Sequence, residues 1–212
     1  IDNMFQLVDK FGFIPNGSRI YYLNRSQPPL LTSMVDDLFT YKHNITFLEE
    51  AYPRLVNEYN YWMTSHIRTL QDPTDNNVLF YINHYTATTT TPRPESYRED
   101  IMTASSSSLP AADIYKSLGA GAESGWDFTS RWFGDLYNIT TIRANNVLPV
   151  DLNSIMYRNE QLLAKYATIL NKKEDMVKFT EAYQRRKYML YRICWNKDTN
   201  GWHDMLFTDT HK

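Results

Sequence analysis

The segment ESGWDFTSRWF, residues 123–133, places a single carboxylate, Asp127, between two tryptophans. Glu123 and Arg131 lie at its flanks, where helical spacing could pair them with each other. A carboxyl held between apolar rings tends to keep its proton, which is what a general acid needs near neutral pH. Indole faces also suit the apolar faces of a sugar ring. Chemistry alone therefore leaves two interpretations open: a sugar-cleaving site, or a buried aromatic cluster with an N-capping aspartate.

Two upstream segments accompany this one. They are IPNGSRIYYLNRSQPP, residues 14–29, and RPESY, residues 93–97. In this order the three segments resemble motifs of the trehalases, a family that hydrolyses α,α-trehalose with inversion. The resemblance extends from Ile1 to about Lys212. It implies an all-α fold that is part of an (α/α)6 toroid, with helical pairs around an axis and long loops and short β-hairpins forming a site at one end.

The resemblance also implies roles for individual residues. Asp127 matches the family's general acid, and the family's general base is a glutamate expected beyond Lys212. Planar donors such as Arg, Asn and Gln can hold sugar hydroxyls in a fixed register. The positions that match the family's substrate-binding residues are Asn16, Arg25, Ser26, Gln27, Arg93, Pro94, Glu95 and Gly125.

The sequence also allows other interpretations of these residues. Arg25 and Arg93 could be ordinary salt bridges that tether loops, and the two tryptophans beside Asp127 could line the pocket or belong to the core. Glu95, Glu99, Asp100 and Glu123 are further carboxylates near the motifs, and the resemblance assigns none of them as the base. The chain could also be another toroid glycosidase, or a non-catalytic sugar-binding or interaction protein that has kept the fold.

Composition narrows the functional classes. The chain has 24 acidic and 22 basic residues, so no basic stripe predicts binding to nucleic acid or to an anionic membrane. No HExxH, CxxC or glycine-rich phosphate loop occurs, and we expect neither a metal nor a cofactor. Ser124 lacks the GxSxG context of a serine hydrolase. Cys194, the one cysteine, is expected to be a core thiol. The five histidines have no ligand spacing: His43, His66, His84, His203 and His211.

Apolar periodicity predicts mainly helices. A T-x-x-E capping box at 46–49 is expected to open one helix, Pro53 to kink or divide it, and Asp151 to cap another. Residues 71–95 are expected to form a long irregular wall of the site, with a short strand at 78–82. Predicted helices cover residues 2–11, 30–39, 46–66, 110–122, 151–170 and 172–194, and a hairpin is predicted over 195–207.

The chain opens at Ile1 without a methionine or signal peptide. We expect residues 1–212 to be a single catalytic-domain fragment, an incomplete toroid that is inactive in isolation. The sequons at Asn44 and Asn138 lie in polar contexts and predict N-glycans on a secreted or cell-surface protein, whereas glycans at Asn16 or Asn24 would block the expected site. Membrane anchoring of the parent protein is left open.

Overall fold

The computed structural model describes residues 1–72 and 74–207, and only the backbone of Asn76. His211 therefore lies outside the described residues. The helices are α1 (Asp2–Phe11), α2 (Leu31–Lys42), α3 (Ile45–Ser65), α4 (Tyr97–Ser105), α5 (Ala111–Glu123), α6 (Val150–Ile169) and α7 (Lys173–Ile193). The strands are β1 (Ile67–Asp72), β2 (Asp75–Asn83), β3 (Val147–Leu148), β4 (Trp195–Asn196), β5 (Gly201–Trp202) and β6 (Met205–Leu206). The predicted all-α class is confirmed.

Most of the helices pack as sequential pairs. Short connections join α2 to α3, α4 to α5 and α6 to α7, and the partners in each pair are in contact. Between α6 and α7 the chain reverses at Asn171, whose φ of 56° is a left-handed conformation that asparagine tolerates. The backbone N–H of Lys172 then donates to the carbonyl of Ala167 at 2.8 Å. This is the pattern of helical pairs expected for part of a toroid.

Two predictions about helix ends were wrong, and the helix that was expected to kink or divide at Pro53 is not divided. Asn44, not Thr46, caps α3, because its Oδ1 accepts the backbone N–H of Phe47 at 3.1 Å. The helix then runs through Pro53 without being divided. Helix α6 begins at Val150, so Asp151 lies in its first turn and is not its N-cap.

The segment predicted as an irregular wall is partly regular. Strands β1 and β2 form an antiparallel hairpin in which Leu70 pairs with Phe80. The side chains of both residues are buried and pack against α7 through Met189 and Leu190. The predicted strand at 78–82 is confirmed and lengthened, whereas β1 and helix α4 were not predicted.

The predicted C-terminal hairpin is confirmed. Strand β4 pairs with β5, and β6 pairs with β3, which lies just before α6. Cys194, at the end of α7, is buried in the small core beneath the β1–β2 hairpin. Burial raises the pKa of its thiol to about 12, as expected for a core cysteine.

The main core lies between the helices. It is rich in large aromatic side chains that pack edge to face, such as Trp62 against Tyr85 and Tyr85 against Trp132. Across the described residues, none of the helices combines the length and the apolar character needed to cross a membrane.

Candidate active site

The loop between α1 and α2 folds back on itself and carries the first group of polar side chains. Gly12 ends α1 with a φ of 80°. An isolated bridge pairs Pro15 with Ser26, and the backbone N–H of Asn16 donates to the carbonyl of Arg25 at 3.0 Å. This register places Asn16 beside Arg25, whose Nε donates to Asn16 Oδ1 at 3.1 Å.

Arg25 is buried with only part of its guanidinium satisfied. Its side chain is 2% exposed, and its Nη2 is paired with the carboxylate of Glu95. Among the described atoms, Nη1 of Arg25 is a buried donor without a hydrogen-bond partner. Buried donors are normally satisfied, so this atom is suited to a ligand oxygen.

Arg93 is fixed from within its own segment. Its backbone N–H and its Nε each donate to Asp100 Oδ2 at 2.9 Å, and its Nη2 donates to Asp100 Oδ1 at 2.7 Å. The guanidinium also lies 4.8 Å from the centre of the Phe128 ring. Arg93 is therefore held in one orientation by α4 on one side and by the Asp127 loop on the other.

Helix α5 leads into the loop that presents Asp127. The helix ends at Glu123, and Ser124 Oγ accepts the backbone N–H of Trp126 at 3.0 Å. Gly125 turns the chain with a φ of 70°, which a side chain would disfavour. The turn carries Asp127 towards the loop that holds Asn16 and Arg25.

The structure decides two points around Asp127 that the sequence left open. Trp126 is 55% exposed and Trp132 is fully buried in the core, so the two rings do not enclose the exposed Asp127. Glu123 and Arg131 do not pair with each other. Arg131 donates instead to Asp151 at 2.8 Å and to Asp204 at 2.7 Å, which fixes the far end of the loop on α6.

These segments enclose an open cavity of about 440 Å³. Two predicted binding residues do not line it: the Ser26 side chain is buried and turned towards Glu123, and Pro94 is exposed elsewhere. The predicted residues that do line it are Asn16, Arg25, Gln27, Arg93, Glu95, Gly125 and Asp127.

Sequence reasoning missed Tyr22, Ser96, Ala122 and Phe128, which also line the cavity. The Tyr22 ring lies 5.0 Å from the guanidinium carbon of Arg25. A Cβ on Gly17 would lie 2.6 Å from that ring, so glycine there lets the tyrosine approach the loop. The sequence signal that could have identified Tyr22 is Gly17 followed closely by the pair Tyr21 and Tyr22.

Comparison with known proteins identifies the family of this chain. A family model described as trehalase matches residues 1–212. The chain belongs to the trehalase family. A trehalase of Dictyostelium discoideum is 44% identical over 209 residues, covering 95% of this chain and 35% of the relative. A trehalase of Apis mellifera is 38% identical over 210 residues, covering 96% of this chain and 33% of the relative. Bacterial periplasmic trehalases also match.

The chain thus spans about a third of the length of these curated trehalases. Among solved structures, the neutral trehalase Nth1 from Saccharomyces cerevisiae matches with a TM-score of 0.73 at 20% identity. That match covers 98% of this chain and 42% of the yeast chain. It confirms the fold as part of an (α/α)6 toroid. Within the described residues of this trehalase-family chain, His, Cys, Asp and Glu side chains form no group of three that could hold a metal ion.

Gly121 offers a test of how closely the position of Asp127 is set. A Cβ added to Gly121 would lie 3.0 Å from the backbone oxygen of Asp127. Gly121→Ala should therefore push the loop outward. Because the resemblance implies that Asp127 is the general acid, and small misplacements of a catalytic group are costly, we expect kcat to fall roughly tenfold. Alanine is the better helix former, so thermal stability should not fall by a comparable amount.

Gly134→Ala is the matched control for this variant. Its Cβ would lie 3.2 Å from another backbone oxygen, that of Thr141, in a loop that does not line the cavity. Steady-state kinetics of the two variants in the full-length protein should separate them. Equal effects on kcat would show that Gly121 has no special relation to the loop that carries Asp127.

Proposed function

We propose that residues 1–212 form one part of a catalytic domain that hydrolyses α,α-trehalose to two glucose molecules with inversion, and that Asp127 is the general acid. One observation carries the proposal. Three segments far apart in sequence, which carry Arg25, Arg93 and Asp127, meet around a single cavity. Its volume of about 440 Å³ lies within the range of small-molecule sites.

The wall of the cavity suits a polyhydroxylated ligand. Asn16 and Gln27 line the cavity with amide groups whose nitrogens are held by backbone carbonyls, and Arg25 presents a donor that no described atom accepts. Tyr22 and Phe128 add aromatic surface on which the apolar face of a sugar ring can pack. A site that both fixes hydroxyls and covers ring carbons is what binding of a glucose unit requires.

In the proposed reaction, Asp127 gives its proton to the oxygen that bridges the two glucose units. A water molecule attacks the anomeric carbon from the opposite side and passes a proton to a carboxylate base. The bridging bond breaks, and one unit leaves as α-glucose while the attacked unit becomes β-glucose.

The base is proposed to come from outside residues 1–212. Among the described residues that line the cavity, the other carboxylate is Glu95, and it is paired with Arg25. Asp100 is occupied by Arg93, and Glu123 is buried against four donors. A carboxylate already saturated by donors is a poor acceptor for the proton of water.

The decisive experiment follows the products of α,α-trehalose hydrolysis by the full-length protein with proton NMR in the first minutes. Equal initial amounts of α- and β-glucose support the proposal, and maltose should be a poor substrate by comparison. Two α-glucose molecules would indicate retention and contradict the mechanism. Tight binding of trehalose without turnover would favour a sugar-binding protein instead.

We also propose N-glycosylation at Asn44 and Asn138 and an extracellular location. Both side chains are exposed, and each uses its Oδ1 as an acceptor: Asn44 from Phe47 N–H and Asn138 from Thr140 N–H. The amide nitrogen of Asn16, in contrast, donates to two backbone carbonyls in the cavity wall. Peptide mass spectrometry of protein secreted by a eukaryotic host should find glycans at Asn44 and Asn138, and unmodified peptides would contradict the assignment.

A further inference from the structure

Glu123 lies outside the cavity, yet its carboxylate contacts the loop that carries Arg25 and the chain that leads to Arg93. Its side chain is 0% exposed. Oε1 accepts the backbone N–H of Ser26 at 2.8 Å and the Ser26 hydroxyl at 3.1 Å, and it lies 2.8 Å from His66 Nε2. Oε2 accepts the backbone N–H of Thr86 at 2.9 Å. Four donors thus converge on one buried carboxylate.

The positions of these donors relate directly to the sugar-binding wall. Ser26 lies between Arg25 and Gln27, both of which line the cavity. Thr86 lies in the segment that leads from the β1–β2 hairpin to Arg93, and Glu123 itself is four residues before Asp127. The carboxylate therefore ties the first binding loop, residues 14–29, and the chain that leads to Arg93 to the end of α5, from which the Asp127 loop continues.

A second contact reinforces the same connection. The amide of Asn16 reaches the carbonyl of Ala122 at 3.3 Å, next to Glu123 in sequence. The first binding loop is thus held to the last turn of α5 by both a side chain and a backbone group. Motion of that turn would displace Arg25 relative to Asp127, the two groups that must act on one disaccharide.

We propose that Glu123 is a positioning residue, whose carboxylate sets the geometry of the sugar-binding wall relative to Asp127. This inference rests on the proposed function. Glu123 does not touch the cavity, so it acts only through the groups it holds. The Nε2 tautomer of His66 supplies one donor, and its ring packs 4.4 Å from Trp62, which connects the carboxylate to the main core.

The chemistry of this site requires a carboxylate. Glutamine has one accepting oxygen and one NH₂ group that can only donate. In either orientation, the NH₂ group would therefore lie against at least one of the donors that the carboxylate now accepts. Facing Thr86, the NH₂ would orphan a backbone N–H. Facing Ser26 and His66, it would orphan two or three donors. Buried donors left unsatisfied are costly, and the segments would shift to recover water or other partners.

The test compares Glu123→Gln and Glu123→Asp in the full-length protein, with trehalose as substrate. We expect Glu123→Gln to raise KM and to lower kcat/KM roughly 10- to 100-fold. Aspartate keeps two acceptor oxygens but is shorter, so Glu123→Asp should recover part of that loss. This ordering is a readout that general destabilisation would not produce.

Glu160→Gln is the matched control. Glu160 is equally buried, at 1% exposure, but its Oε1 accepts from Arg186 at 2.9 Å and from Tyr59 at 3.1 Å, away from the cavity. Kinetic constants of Glu160→Gln should stay near those of the wild type below its unfolding temperature. A loss matching that of Glu123→Gln would overturn the proposal, because burial alone would then explain the effect.

The other possible results of this experiment also distinguish the inference from the proposed function. If Glu123→Gln does not fold, Glu123→Asp decides: a raised KM with a nearly unchanged unfolding temperature supports positioning, and wild-type constants overturn it. A wild-type protein that releases no glucose contradicts the proposed function itself. An active wild type whose Glu123 variants keep its kinetic constants contradicts this inference alone.

Discussion

Replacement of Asp127 by asparagine is expected to lower kcat on α,α-trehalose by roughly 10²- to 10⁴-fold, the usual contribution of general acid catalysis. Asparagine has nearly the same shape but no proton to give to the bridging oxygen. Asp127 is exposed on the cavity wall, so the substitution leaves no unpaired group in the core. Trehalose binding and the unfolding temperature should therefore remain close to those of the wild type.

A substrate with a better leaving group tests the assigned role. Fluoride departs with little help from a proton, so Asp127→Asn should lose far less activity on α-glucosyl fluoride than on trehalose. Losses of equal size on both substrates would contradict the role of acid and favour that of base. Asp37→Asn, which changes an exposed aspartate on α2, should leave both activities unchanged.

Two of the three helical pairs, α2–α3 and α6–α7, could be predicted because their signal is local. Helices α6 and α7 present apolar residues at helical spacing over twenty residues each, and their predicted bounds differ from the observed ones by a residue or two. The error at α3 has a local cause as well. Thr46 and Glu49 fit the capping pattern, but Asn44 has the extended backbone and the accepting side chain of an N-cap.

The β1–β2 hairpin and α4 could not be predicted in the same way. Strand β1, of sequence IRTLQD, has little apolar alternation, and it is recognised as a strand only by pairing with β2. Helix α4, of sequence YREDIMTAS, has few apolar residues to form a stripe. Both elements depend on neighbours that the linear pattern does not reveal.

The candidate site likewise has a part that the sequence predicts and a part that depends on packing. The motif segments could be read from sequence, but which side chains face the cavity depends on packing. Ser26 shows the difference, since it lies between two cavity residues while its own side chain serves Glu123. The two tryptophans beside Asp127 look equivalent in the sequence, yet one is fully buried and the other is exposed.

Glu58 is expected to make the stability of the protein depend on pH. It is 3% exposed in α3, where Leu55 and Trp62, one turn away on either side, are completely buried. Burial raises the pKa of this carboxyl from 4.5 to about 8. Between these values the folded state keeps a proton that the unfolded state has released. The free energy of unfolding therefore falls as pH rises through this window. The stabilisation that comes from the protonated Glu58 is fully present below pH 4.5.

Glu58→Gln should remove this dependence, because an amide does not ionise. With about 1.4 kcal/mol for each pKa unit, the variant should be more stable than the wild type by roughly 3 kcal/mol at pH 7. The gain should shrink towards zero near pH 4.5, where the wild-type carboxyl is protonated in both states. Urea unfolding of the full-length protein at several pH values measures the difference.

Glu49→Gln, an exposed change on the same helix, is the control and should give a curve parallel to the wild type. Since the gain follows only from a proton held in the folded state, a constant offset between wild type and Glu58→Gln from pH 5 to 8 would mean that Glu58 is ionised there and held by a partner.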